Sequence, residues 1–254
     1  MKKQNLIACL FAFVYGLSHA QPGMPFVPGC ELPFQSIAVK HSIDDGCGIK
    51  GKGTSKNAAA NELQNAAKNN FCATGTIKMV SVMSLRELHQ RVKANGITFG
   101  NYQAVPADRS GLQTLGEGTR VSFTGYINDV KYANTGDGEG VNCKHPDAEN
   151  NDIHIELAYR KDEVNKCKRI SAEISPHFRP NDWNVDKLKA VKNSLLKVRI
   201  TGQLFFDASH TSCADNPDGT RASSWEIHPV YRIEVHMNNQ WKDLHEVNFP
   251  DEDE

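Results

Sequence analysis

Two short stretches of this chain set a carboxylate and an imidazole two residues apart. Asp152-Ile153-His154 is one and Glu226-Ile227-His228 is the other. On a β-strand, successive side chains alternate between faces, so Asp152 and His154 share one face and Ile153 and Ile155 the other. Glu226 and His228 repeat the arrangement opposite Trp225 and Ile227. His210 stands three residues beyond Asp207. Imidazole beside carboxylate can exchange protons with a substrate or ligate a divalent metal. His154, His210 and His228 are the candidate ligands of such a metal, and no other cofactor is indicated. The competing use of the same residues is structural, as the hydrogen-bonded polar face of a half-buried strand.

Two function classes follow. One is a non-enzymatic binding module for an unknown small molecule, glycan or protein. The other is a metal-dependent hydrolase using Asp152, His154, His210, Glu226 and His228. Elemental analysis of untagged protein separates them.

Other motifs are weaker. Gly46-x-x-x-x-Gly51-Lys52 resembles a phosphate-cradling loop, but Gly53 stands where a magnesium-binding hydroxyl belongs. Asp207, Asp215, Asn216 and Asp218 surround Cys213 without the spacing of a calcium loop, so a disulfide-anchored turn is expected there. Tyr126, Tyr132, Phe205, Phe206, Trp225 and Tyr231 lie on expected strands, where core packing outweighs a stacking platform. The formal charge is −1, from 29 basic and 30 acidic residues. That balance argues against a nucleic-acid partner.

The compartment is legible at the N-terminus. Lys2 and Lys3 precede an apolar run from Leu6 to Leu17, and Ser18-His19-Ala20 ends it with small residues at the −3 and −1 positions of a cut before Gln21. This is the pattern of a cleaved signal peptide, and the run is short for a membrane span. A periplasmic or secreted protein is expected, with no transmembrane segment after cleavage. Cleavage removes one of the seven cysteines, Cys9. Cys30, Cys47, Cys72, Cys143, Cys167 and Cys213 remain, an even number, expected to pair as disulfides whose connectivity the sequence leaves open.

The elements that must position these residues fall into two groups. Residues 21–54 read as a proline-rich leader and loop. Residues 55–118 are mixed: a helix from near Ser55 with Ala59, Leu63, Ala66 or Ala67 and Phe71 at helical spacing, a strand over Ile77–Val82, and a second helix opened by a Ser84-x-x-Glu87 capping box and stopped at Gly96. Residues 119–246 alternate as strands: Val121 to Val130, bent at Gly125, then Ile153 to Leu157 and Ile170 to Ile174. A helix over Asp182–Leu196 follows, then strands Val198–Leu204 and Trp225–Val235. This order implies an α+β protein, whose mixed N-terminal part leads into an OB-like, five-stranded antiparallel barrel with a helix between strands 3 and 4. Residues 247–254 form an acidic tail.

Asn151-Asp152-Ile153-His154-Ile155, Gly202-Gln203-Leu204-Phe205-Phe206-Asp207, Trp225-Glu226-Ile227-His228-Pro229-Val230 and Asn65 to Cys72 together resemble a group of exported bacterial proteins without an assigned activity. The resemblance implies a bacterial exported protein and carries no catalytic residues with it.

Overall fold

The computed structural model describes residues 24–53, 57–99 and 109–249. The expected signal peptide and the acidic run at 251–254 lie outside them. The elements run α1 (Ala58–Lys68), β1 (Thr74–Met79), α2 (Val82–Ala94), α3 (Ser110–Leu115), β2 (Thr119–Tyr132), β3 (Ile153–Ala158), β4 (Ile170–Ile174), α4 (Val185–Asn193), β5 (Lys197–Phe206), β6 (Trp225–Met237) and β7 (Gln240–Asp243).

Five strands close into a barrel in the ring order β2-β3-β4-β6-β5, with β5 pairing back onto β2. The barrel is mixed rather than antiparallel, because β4 runs parallel to β6, with Ala172 opposite Ile227. The chain leaves β4 through α4 and β5 before it returns to β4's free edge, and that excursion reverses its direction an even number of times. A further strand, β1, adds parallel to β2 ahead of the barrel. The helix α4 lies between β4 and β5, the fourth and fifth strands of the chain and the third and fourth of the barrel, and it packs against β2.

Alternation builds the core. Ile153, Ile155 and Leu157 of β3, Ile170, Ala172 and Ile174 of β4, and Trp225 and Ile227 of β6 join Leu188 and Val191 of α4 in one apolar cluster. Such burial stabilises by roughly 1.5–3 kcal/mol per large side chain. Gly202 of β5 marks a close approach, since a Cβ there would stand 2.4 Å from the Pro229 carbonyl oxygen. At the second helix, Ser81 rather than Ser84 is the N-cap: its side chain accepts from Ser84 N, and Val82 starts α2 instead of ending β1.

The proline-rich stretch after residue 23 is packed. Phe26, Leu32 and Phe34 enter the core, and Ser42–Asp45 forms a 3₁₀ turn. All six cysteines pair: Cys30 with Cys72, Cys47 with Cys143, and Cys167 with Cys213. The second bridge seats the Gly46–Lys52 loop on residues 140–141, where Lys52 N donates to Gly140 O, so this loop is a packing element. Among the described residues, no helix is long and apolar enough to cross a membrane.

Candidate functional site

The polar positions of β3, β4 and β6 share the face of the barrel wall opposite the core residues. Register decides which of them meet. His154 pairs across to Glu173, and the parallel register of β4 and β6 sets Glu173 beside His228. Glu173 therefore lies between two strands that do not touch each other. One oxygen, Oε1, is 3.1 Å from His154 Nε2; the other, Oε2, is 2.8 Å from His228 Nδ1 and 3.4 Å from Lys68 Nζ. His228 Nε2 is 3.6 Å from Asp152 Oδ2, and Glu226 Oε1 is 3.4 Å from His228 Nδ1.

Two loops and a helix complete the wall. From the β2–β3 loop, Glu139 accepts from Asp152 N and stands 4.0 Å from His154, while Asn142 donates to Asp152 Oδ1. From the β5–β6 loop, Arg221 bridges Glu226 and Asp207, and Asp207 holds His210 Nδ1. From α1 come Lys68 and Gln64, the latter 2.9 Å from Ser209 Oγ. The helix presents its polar side inward: Gln64, Asn65 and Lys68 are buried, while Leu63 is 44% exposed. The wall it covers is charged, so Ala59 and Leu63 of the stripe read from the sequence face outward, while Phe71, past the end of α1, enters the core.

Sequence reasoning thus found four members of one site, Asp152, His154, Glu226 and His228. The N-terminal helix α1 covers them. Around Glu173, His154, 27% exposed at its side chain, and Glu139, at 16%, lead outward. His210 stands apart, linked to the others through Asp207 and Arg221. It lines a cavity with Lys93, Phe99 and Asp215 instead. A common three-histidine metal site is therefore not formed. The loop around Cys213 is tied by its disulfide to Cys167, and its acidic groups are divided: Asp207 faces Arg221 and His210, whereas Asp215 faces His89 and Lys93. Phe205, Phe206, Trp225 and Tyr231 are buried, as core packing requires, and form no open stacking platform.

Glu173 and Lys68 were missed. The alternation of Ile170, Ala172 and Ile174 leaves Glu173 on the face of His154 and His228, a signal that could have found it. A second buried dyad was also missed. His177 Nδ1 lies 2.6 Å from Asp44 Oδ1, beneath the ring of Phe26.

Burial and proximity set the protonation states. Burial alone would pull His228 down, but Glu173 and Glu226 outweigh it and hold the imidazole up at about 10. Burial and the neighbouring Glu139 push Asp152 up to about 8, with His228 opposing. Glu173 stays well below the usual carboxylate range, because His154, Lys68 and His228 overcome its burial. Lys68 is raised well above its ordinary value, as Glu173 and Asp207 overcome burial. The buried wall thus favours the protonated forms of both His228 and Asp152.

Asp152, Glu173 and His228 each offer a ligand atom within 4.8 Å of the others, and all three are buried. Two carboxylates and an imidazole suit a divalent cation. Comparison with protein-family models, curated proteins and solved structures finds no match for this chain.

Proposed function

We propose that this is an exported hydrolase, that its barrel is OB-like, and that its working site is the charged face of the barrel wall. The observation that carries the reading is the convergence of His154, His228, Lys68 and Asp152 around the buried carboxylate of Glu173. Acid–base groups perturbed by burial and by specific charge partners, gathered on one wall, are the physical signature of a functional-site candidate. The ring order β2-β3-β4-β6-β5 supports the OB-like assignment. In that fold, ligands are taken on the face of the second and third barrel strands and on the loops after the first and fourth. Here that is the face of β3 and β4, with the loops that supply Glu139 and Asp207.

In this reading His154, the histidine of the set with solvent access, takes the proton of a water, and Glu173 holds its ring. A panel of chromogenic carboxylic and phosphoric esters tests it. Turnover should fall by roughly 10²-fold or more in His154→Gln, with circular dichroism unchanged. If the wild-type protein hydrolyses none of the panel faster than buffer does, the reading is wrong.

A binding module is the second reading, and one observation favours it. A cavity of about 650 Å³ lies along α1, lined by Leu63, Asn70, Arg109, Gln113 and Gln203. Its size suits a small ligand. Gln203 also donates to the His228 carbonyl, so the cavity shares a wall with the cluster.

A further inference from the structure

We propose that Asp152, Glu173 and His228 hold one first-row divalent cation, zinc or manganese. The inference deepens the reading of the charged wall as the working site, and it stands or falls on different measurements.

Geometry supplies the first support. His228 Nε2 and Asp152 Oδ2 are 3.6 Å apart, and Glu173 completes a set within 4.8 Å. Ligand bonds of about 2.1 Å place donors of one tetrahedral ion ~3.4 Å apart. The closer pair already has that spacing, and the wider separation, within 4.8 Å, needs to contract by at most about 1.4 Å.

Unsatisfied polar atoms supply the second. Asp152 Oδ2, Glu226 Oε1 and both ring nitrogens of His228 are buried without a well-aligned hydrogen-bond partner among the described residues. Such a group costs about 1–3 kcal/mol where nothing compensates it. Asp152 and His228 are 0% exposed. Among the proposed ligands, Asp152 Oδ2 and His228 Nε2 are the orphaned atoms that face each other, and one ion between them satisfies both, while His228 Nδ1 faces Glu173.

Charge supplies the third. The fully buried ionisable groups of the wall are Asp152, Glu173, Asp207 and Glu226 against Lys68 and Arg221, with His228 among them. With the protons of Asp152 and His228 displaced by the ion, four carboxylates and two fixed cations leave a formal charge of −2, which a dication cancels. The imidazole favours zinc over calcium and magnesium, which prefer oxygen alone, and the two carboxylates also admit manganese. Asn142 on Asp152 Oδ1, Lys68 on Glu173 and Arg221 on Glu226 then act as the outer shell that orients the ligands.

The test uses the full mature chain without a histidine tag, stripped with chelator. Zinc and manganese are each added back and followed by calorimetry and elemental analysis. One equivalent should bind. Asp152→Asn and His228→Gln should each weaken binding by more than the roughly 10–100-fold typical of outer-shell partners. No binding by the folded wild-type protein overturns the proposal, as does unchanged affinity in both variants. If the variants do not fold, anomalous diffraction from the wild-type protein crystallised with zinc decides, since an ion at any other residues refutes the assignment. The ester panel keeps the two readings apart. An ion bound without turnover removes the hydrolase and keeps the site, and turnover indifferent to chelator does the reverse.

Discussion

Lys68 is the sharpest probe of the charged wall. It projects from α1 onto Glu173, with Nζ 3.4 Å from Oε2 and side chains only 8% and 1% exposed. Solvent screening does not discount a pair so deeply placed. Lys68→Met keeps much of the stem volume and removes the charge. Breaking a buried pair by deleting one partner costs about 3–5 kcal/mol, because the other charge remains buried. For a chain of this size, each kcal/mol lowers the melting temperature by about 2–4 °C, so the expected fall is about 6–20 °C. Urea unfolding in chelator, followed by circular dichroism, should show a lower midpoint with an unchanged slope. The double variant with Glu173→Gln should lose less than the sum of the single losses, by about 0.5–3 kcal/mol, since each single change strands the other's charge. A Lys68→Met protein within about 0.5 kcal/mol of wild type would place this lysine among ordinary surface residues. Strict additivity would show that the two groups do not feel each other. Either result refutes the account of the wall.

Two further outcomes follow from the same coordinates. The bridge between Cys47 and Cys143 spans 96 residues, and loop closure on that scale gives about 4–5 kcal/mol. Replacing both cysteines by Ala should lower stability by that order, and thiol titration of the denatured, unreduced mature wild type should find no free thiol. His210 has its pKa raised above the ordinary histidine value by Asp207, with burial opposing. A raised folded-state pKa contributes stability that is present below the unfolded value, near 6.5, and is lost as pH rises through the folded value. The melting-temperature gap between wild type and His210→Ala should therefore be largest near pH 5 and shrink on the alkaline side. A gap that widens with pH contradicts the pairing.

Period-two alternation made four site residues readable, because Ile153, Ile155, Trp225 and Ile227 announce which face is apolar and leave Asp152, His154, Glu226 and His228 on the other. The same logic covered Glu173, but only pairing between β3, β4 and β6 gives that residue its neighbours, and register between distant strands is not written locally. The parallel pairing of β4 with β6 escaped for the same reason. Lys68 was hidden by a different failure. Helical periodicity assumes that a helix buries its apolar stripe, whereas α1 covers a wall of charge. Gln64 and Lys68 therefore turn inward, and Leu63 is left outside. The cap of α2 moved three residues because Ser81 and Ser84 satisfy each other's backbone N–H groups, and Glu87 is not needed.

The cysteine pairing carries a consequence for how the chain matures. Counting the six paired cysteines from Cys30, the bridges join the first to the third, the second to the fourth, and the fifth to the sixth. The first two are interleaved, so neither encloses the other. A chain threaded into an oxidising compartment N-terminus first presents Cys30 and Cys47 together before Cys72 or Cys143 has arrived. Oxidation at that moment traps a non-native link, and escape from it requires thiolate attack and reshuffling, on a scale of seconds to hours. Correct maturation thus depends on delay, with α1 and the β2–β3 loop docking before their thiols are sealed, or on a catalyst that undoes early mistakes. Only Cys167 and Cys213, adjacent in order, can close on first encounter.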